Sequence, residues 1–263
     1  MREAFKGGII LSGASRGLGA ALARRLAAPG VTLGLVARSE AGLRETAAAC
    51  AGRGAAVRVA AIDVRDAGAL ARTVLDWDAA APTALVVANA GIAAGRRPDG
   101  TAESVADLAA QVSVNLLGAV NLVGPLLPAL RARRAGRIGL VASVAAFHGL
   151  PDSPGYCASK AGLWAWGQAI RADLRGSGAG VTLIAPGFFE SDMGRAWRGR
   201  RPFSLTTGAA AARIEGALRA GRPSCAFPLP LVLGLRALAF LPAPLADRAV
   251  RLLRFRIAEG DVS

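Results

Sequence analysis

The chain contains one tyrosine, Tyr156, and one of its two lysines, Lys160, follows four residues later. On a helix that spacing puts both side chains on one face. An ammonium so placed favours the phenolate, drawing a phenol down from its ordinary pKa of ~10 toward a range useful for proton transfer. Taken alone, the pair reads as a half-buried tyrosine beside a lysine reaching for solvent. Three neighbours turn the reading toward chemistry. Ser143 ends the apolar run 138–142, and Asn89 ends another in Ala88-Asn89-Ala90-Gly91. Asn115 lies inside a helical stretch, where asparagine is a poor choice unless its amide is used. The only other asparagine is Asn121. Tyr156 is the candidate acid/base of this constellation.

A second constellation stands near the N-terminus. Ser12-Gly13-Ala14-Ser15-Arg16-Gly17-Leu18-Gly19 follows an apolar strand and opens a helix. Gly13 permits a tight turn, Gly17 lets backbone approach a pyrophosphate, and Gly19 lets the helix pack on the sheet. The helix N-terminus offers unpaired N–H groups to phosphates. Tight turns need glycine anyway, so the position at the head of a βαβ unit carries the inference. An NAD site usually ends its second strand with Asp or Glu, to hold the ribose hydroxyls. Here that strand ends Val36-Ala37-Arg38-Ser39, and Arg16 comes from the glycine loop. Two guanidinium groups there suit a 2′-phosphate, which favours NADP(H) over NAD(H). The plainer alternative is two more surface arginines.

The elements that must position these groups follow from apolar patterning. Runs at 9–11, 31–37, 57–62, 84–88, 138–142 and 181–185 read as buried strands. Helical stretches at 18–27, 41–51, 67–77, 102–117 and 156–174 lie between them. Such alternation predicts an α/β fold, a three-layer, doubly wound parallel sheet of Rossmann type, with ligands at the carboxyl ends of the strands. We expect one domain over 1–263, with its core at about 8–194. The alternation fades after Gly187. A last strand at 224–227 and apolar helices at 229–240 and 245–255 form the expected C-terminal extension.

With 263 residues, 53% of them hydrophobic, the chain has material for one large core. Its formal net charge of +14 is almost all arginine, spread along the chain. No nucleic-acid motif or aromatic platform accompanies it, so nucleic acid is not an expected partner. Cys50, Cys157 and Cys225 form neither a disulfide framework nor a metal-ligand pattern, which suits a reducing cytoplasm, and no metal is expected. Residues 7–11 read as a first strand, not a signal peptide. The apolar region 227–246 is too interrupted by Arg236 and prolines for a simple membrane span.

Together, Ser12–Gly19, Asn89–Gly91, Asn115, Ser143, Tyr156–Lys160 and Pro186-Gly187 resemble the short-chain dehydrogenase/reductase family in order and spacing, over about 8–194. The resemblance implies that Tyr156 exchanges a proton with an alcohol or carbonyl substrate and Ser143 hydrogen-bonds its oxygen. Lys160 would hold the nicotinamide ribose and depress the Tyr156 pKa, and Asn115 would hold a water of the proton relay. It also implies an adenine contact at Asp63-Val64. Further cofactor contacts are implied at Asn89, Ala90 and Gly91, and in the loop Pro186-Gly187-Phe188-Phe189 with Ser191. Ser12 and Ser191 stand where threonine is usual, and Ala88 where asparagine is. None of these removes a catalytic group.

Other features take plainer readings. His148 is read as loop or pocket lining and Cys157 as a packing thiol. Arg195, Arg198, Arg200 and Arg201 around Trp197 suit an anionic or acyl-linked substrate, or simply a solvated loop. The C-terminal helices are read as covering the pocket for an apolar substrate, with membrane contact at most peripheral. The resemblance implies a homodimer or homotetramer built on the 102–117 and 156–174 helices. A dinucleotide-binding sensor or scaffold without catalysis remains the rival reading.

Overall fold

The structure is a computed structural model, and it describes residues 5–190, 197–199, 201–251 and 255–257. Seven strands form one parallel sheet. In chain order these are β1 (Gly7–Ser12), β2 (Val31–Ala37), β3 (Ala56–Ala61), β4 (Thr83–Ala88), β5 (Arg137–Val141), β6 (Gly180–Pro186) and β8 (Ser224–Phe227). Their spatial order is β3-β2-β1-β4-β5-β6-β8, so the sheet is wound outward in both directions from β1 and β4. Every pairing within it is parallel. This is the expected Rossmann-type architecture, and its switch point lies between β1 and β4.

Alternation along each strand divides the core. Ile9 and Leu11 point to one face, where they meet Leu22 and Leu26 of α1 (Gly17–Leu26) and Ile214 of α8 (Thr207–Arg219). Ile10 points to the other face, among Leu70 and Val74 of α3 (Ala67–Ala80) and Leu163 and Ile170 of α7 (Pro154–Asp173). The two-residue period of the strands therefore generates both helical layers.

Several expectations need correcting. The third strand is not buried: β3 is an edge strand, and most of its side chains are exposed. The helix expected at 102–117 starts later and runs further. Ser104 caps α4 (Val105–Val112) in a reciprocal capping box with Asp107. A π-helical turn follows at Ser113–Leu117, then α5 (Gly118–Val123), a 3₁₀ turn and α6 (Leu127–Arg133). The whole run, Val105–Arg133, has the length and apolarity of a membrane span. Its Leu122, Val123, Leu126 and Leu130 are nevertheless packed in the core. Helix α8 was not foreseen, because its interior is mostly alanine and gives a weak apolar stripe.

The tail also differs in part. Helix α9 (Leu229–Ala237) continues as a 3₁₀ turn through Phe240, as expected for 229–240. The second tail helix is shorter than expected: α10 covers Ala243–Val250 only. Phe255–Ile257 is instead a strand, β9, paired antiparallel with β7 (Trp197–Gly199). The inner face of α9 supplies Leu231, Val232 and Leu235 to a third cluster that contains Tyr156.

Candidate active site

The glycine loop lies where β1 meets α1, and each glycine has a separate job. A Cβ on Gly19 would sit 2.0 Å from the Gly13 carbonyl oxygen, so only glycine lets the helix start here. Gly17 has φ of 55° and open space above it, where a Cβ would meet nothing within 4 Å. A closed packing contact at Gly19 beside an open approach at Gly17 is the geometry a pyrophosphate requires, so the residues present fit a dinucleotide. The Leu18 side chain belongs to the core, leaving its backbone for any ligand.

Ser12 ties this loop to the next. Its buried hydroxyl accepts the N–H groups of Asn89 and Ala90, each at 3.1 Å. The Asn89 amide donates in return to the Ser12 carbonyl at 3.1 Å and the Gly13 carbonyl at 3.3 Å. Serine does this work as well as threonine would, because the hydroxyl is what the two amides need.

Arg16 and Arg38 are both exposed at the same rim. The Ala14 N–H donates to Val36 at the end of β2, and a Cβ on Gly42 would stand 2.8 Å from the Ser15 carbonyl oxygen. These contacts join the glycine loop to the start of α2 (Glu40–Ala51). Ser39 caps that helix, and Glu40 is turned to Arg44 at 2.5 Å. Asp63 is held by Arg65 in a two-pronged ion pair, at 2.7 Å for the closer prong. The Arg65 hydrogen bonds hold the Asp63 carboxyl below the usual carboxylate range, with Arg38 contributing. Val64 is buried, so its carbonyl, which accepts from Asn121 at 2.9 Å, fixes position while its side chain packs.

Tyr156, Ser143 and Lys160 converge at the carboxyl end of the sheet. Ser143 follows β5; its hydroxyl accepts the Ala145 N–H at 3.2 Å and lies near enough to the Tyr156 phenol to draw its pKa down. Tyr156 and Lys160 share a face of α7, with the Lys160 Nζ 5.8 Å from the tyrosine ring centre. Here the expectation that Lys160 lowers the phenol is corrected. Burial pushes Tyr156 up to about 12, outweighing the pull of the Ser143 hydroxyl. Burial likewise brings Lys160 down to about 8, and its Nζ donates to the Val141 carbonyl at 2.9 Å. Desolvation dominates both groups because each is almost wholly enclosed.

Asn115 belongs to the same frame. It is fully buried in the π-helical turn, and its amide is committed to protein groups. It accepts from the Ile92 N–H at 2.8 Å and donates to the Ile92 carbonyl and the Ser159 hydroxyl, both at 2.9 Å. The side chain therefore positions the 89–92 loop against α7. Gly91 lies between the two groups: a Cβ there would be 3.0 Å from the Asn115 Oδ1 and 3.3 Å from the Lys160 Nζ. A π-turn is an expensive local geometry that recurs at functional sites.

Polar residues missed in the sequence complete the frame. Gln111, fully buried one turn before Asn115, accepts from the Ala94 N–H at 2.8 Å and donates to Glu103. Glu103 in turn accepts the Gly155 N–H at 2.7 Å, at the start of α7. Ser159 links Asn115 to the Tyr156 carbonyl. A glutamine four residues before Asn115, inside the same apolar helix, was the available signal.

At the far edge, Pro186 ends β6 and Gly187 donates its N–H to Phe227 at 2.7 Å. Phe189 leans on the first core cluster and Phe188 on the third. Ser191, Arg195 and Arg200 lie outside the described residues, while Trp197 and Arg198 contribute backbone to β7. His148 and Cys157 line a cavity of about 610 Å³ on the other side of α7 from Lys160, as pocket lining rather than catalytic groups. Burial raises the Cys157 thiol to about 11, and its sulfur accepts the Leu150 N–H, which suits a packing role. Among the described residues no cluster of His, Cys, Asp and Glu could hold a metal.

Residues 8–201 match the short chain dehydrogenase family. The chain belongs to that family. It is thereby an oxidoreductase with a nicotinamide-dinucleotide-binding Rossmann fold. An uncharacterized oxidoreductase of Myxococcus xanthus is 34% identical over 93% of this chain and 96% of its own length. Ketoacyl reductase HetN of a Nostoc species is 37% identical over 68% of this chain and 62% of its own. Sulfoacetaldehyde reductase 2 of Chromohalobacter salexigens is 36% identical over 70% and 73%. In structure, a short chain dehydrogenase of Mycobacterium paratuberculosis bound to NAD superposes with a TM-score of 0.74. At 23% identity, with 85% of this chain and 97% of that one covered, this likeness establishes the fold.

Proposed function

We propose that the chain interconverts a carbonyl and an alcohol with NADP(H), using Tyr156 as the proton donor and acceptor. The observation that carries this reading is the enclosed Tyr156 phenol near Ser143, with the Lys160 Nζ 5.8 Å from its ring centre. A bound nicotinamide would supply or accept the hydride at the substrate carbon. The rest falls to side chains. Ser143 turns its hydroxyl proton to the substrate oxygen, with Ala145 N–H holding its own oxygen in place. Tyr156 delivers its proton to that oxygen as charge develops on it. A phenol raised to about 12 is protonated at neutral pH, which suits it as an acid for carbonyl reduction. Lys160 is placed to bind a ribose hydroxyl and, once loaded, to share the charge of the phenolate. A sensor without catalysis would have no use for the enclosed acid–hydroxyl pair.

Arg16 and Arg38 support NADP(H), since both are exposed where the glycine loop meets the end of β2. The first acid after Arg38 in the chain, Glu40, is engaged by Arg44, and Asp63 by Arg65. For the substrate we favour an apolar or acyl-linked carbonyl, because α9 walls the site with Leu231, Val232 and Leu235. The names of the ketoacyl and sulfoacetaldehyde reductases point to carbonyl substrates as well. Assembly as a homodimer or homotetramer through α4 and α7 is supported by exposed Val105, Leu108 and Leu117. The cytoplasm is the proposed setting.

NADPH oxidation, followed by absorbance across acyl, steroid, sugar and quinone carbonyls, tests the reading directly. Turnover with at least one class, lost in Tyr156→Phe, is the expected result. Activity that survives that substitution within a few-fold would overturn it.

A further inference from the structure

Helix α9 is apolar on two sides. Its inner side enters the cluster around Tyr156. Its outer side presents Leu229 and Leu233, 61% and 58% exposed, in line with Phe240 of the following 3₁₀ turn at 89%. These are residues i, i+4 and i+11, one stripe along the helix. Leu241 and Leu245 extend it across the Pro242 turn onto α10. Among the described residues, five of the eleven exposed large apolar side chains thus fall between residues 229 and 245. An apolar surface concentrated in this way marks a contact site, whereas scattered exposed leucines do not.

The rim decides what it contacts. Arg236 lies in the same stripe, with its guanidinium over the Phe147 ring at 4.4 Å, and Arg248 and Arg251 are exposed on and after α10. Across 229–251 Asp247 is the only acid. A symmetric contact between two copies would set this patch against itself, bringing each arginine rim toward the same rim. That arrangement is repulsive, and the separate apolar face on α4 is free of it. An anionic bilayer surface has the opposite property: its headgroups meet the arginines while its acyl boundary takes the leucines and phenylalanine.

We propose that the outer face of α9 and α10 is a membrane-interfacial surface that seats the protein on anionic phospholipid. Because the inner face of α9 walls the site, an amphiphilic substrate dissolved in that membrane has a short route to Tyr156. Lipid binding itself does not depend on the proposed reaction.

The full chain is to be floated with vesicles of mixed phosphatidylcholine and phosphatidylglycerol, and with phosphatidylcholine alone. Leu233→Glu/Phe240→Glu places two acids on exposed positions, and Leu108→Glu does the same on α4 as a control. Wild type and Leu108→Glu should float with the anionic vesicles and be released by salt. The double variant should partition about tenfold more weakly or worse, with an unchanged thermal midpoint. Failure of wild type to float, or equal flotation of the double variant, overturns the proposal. So does a double variant that changes oligomer mass while wild type ignores lipid, which would make the face a contact between copies.

Discussion

On one side of Tyr156 stand polar groups fixed by hydrogen bonds to backbone: Ser143 at the end of β5, Asn115 in the π-helical turn, and Ser159 on α7 itself. On the other stands α9, which meets the same tyrosine through Leu231, Val232 and Leu235. The polar side depends on residue type at each position, since a hydroxyl or amide has few substitutes there. The apolar side depends on volume and shape, which many sequences supply. On the proposed function, reaction chemistry resides in the first region, and substrate choice in the second.

The sharpest way to break this contrast is to remove the acid. Tyr156→Phe deletes only a hydroxyl, so it should lower turnover by about 10²–10⁴-fold while cofactor affinity stays near wild type. Steady-state rates and a cofactor fluorescence titration check both halves. On the apolar side, Leu235→Ala should cost about 2–5 kcal/mol of stability, because Leu235 is only 2% exposed. It should also raise KM for a bulky substrate more than it lowers kcat. Leu233→Ala, two residues away on the outer face, should shift stability by no more than about 0.5 kcal/mol. Denaturant melts of the pair decide whether α9 has the two faces described.

A fourth substitution tests the cofactor rim. Arg38→Asp should reverse the preference for NADP(H), replacing an attraction for the 2′-phosphate with repulsion. A charge-assisted hydrogen bond contributes about 1.5–3 kcal/mol, so affinity for NADPH should fall at least tenfold while NADH gains. Equal affinities in wild type would count against the proposed preference.

The contrast also explains which parts of the molecule were legible in the sequence. The glycine loop, Asn89, Ser143, Tyr156 and Lys160 were readable because each is a rare or conformationally special residue at a strand end or on one helix face. The seven strands of the sheet were readable because apolar side chains recur in short runs. Exposure was less so: Val57 and Val59 suggested a buried β3, but an edge position leaves them half-covered or exposed. Helix α8 escaped notice because alanine buries well while contributing little contrast. The sign of the Tyr156 shift was missed for a different reason. Spacing shows that a lysine is near, but not that both groups are enclosed, and enclosure dominates. Gln111 and Glu103 were hidden because a positioning role is visible only once Ala94 and Gly155 are known to be their partners.

Asn115 offers a smaller test of the polar side. Asn115→Ala leaves the Ile92 N–H and carbonyl and the Ser159 hydroxyl without their partner. Loss of such buried bonds should cost about 1–3 kcal/mol of stability, with kcat falling because the loop beside Lys160 loosens. Unchanged melting with reduced kcat would instead make the amide a catalytic group.

The mildest expected effect is a change in how stability depends on pH, and its sign follows from enclosure. Lys160 falls from 10.5 in the unfolded chain to about 8 in the ligand-free fold. Between those values the unfolded chain holds a proton that the folded chain has released, so stability rises with pH there. The contribution is complete above the unfolded value and is lost as pH falls through about 8. Tyr156 acts oppositely, rising from 10.0 to about 12, so its contribution is lost as pH climbs from 10 toward 12. Stability should therefore climb between pH 8 and 9, by at most ~1.4 kcal/mol per pH unit for one proton. Above 9 the Cys157 thiol, raised from 9.0 to about 11, opposes the climb, and above 10 Tyr156 adds to the decline. Lys160→Met should abolish the climb, while the Val141 carbonyl loses its donor at every pH. Tyr156→Phe should preserve the climb and lessen the decline above 10. Denaturant midpoints of the three proteins at several pH values check this. A wild-type profile flat from 8 to 9 would mean that the lysine keeps its charge at little cost, as a solvated group would.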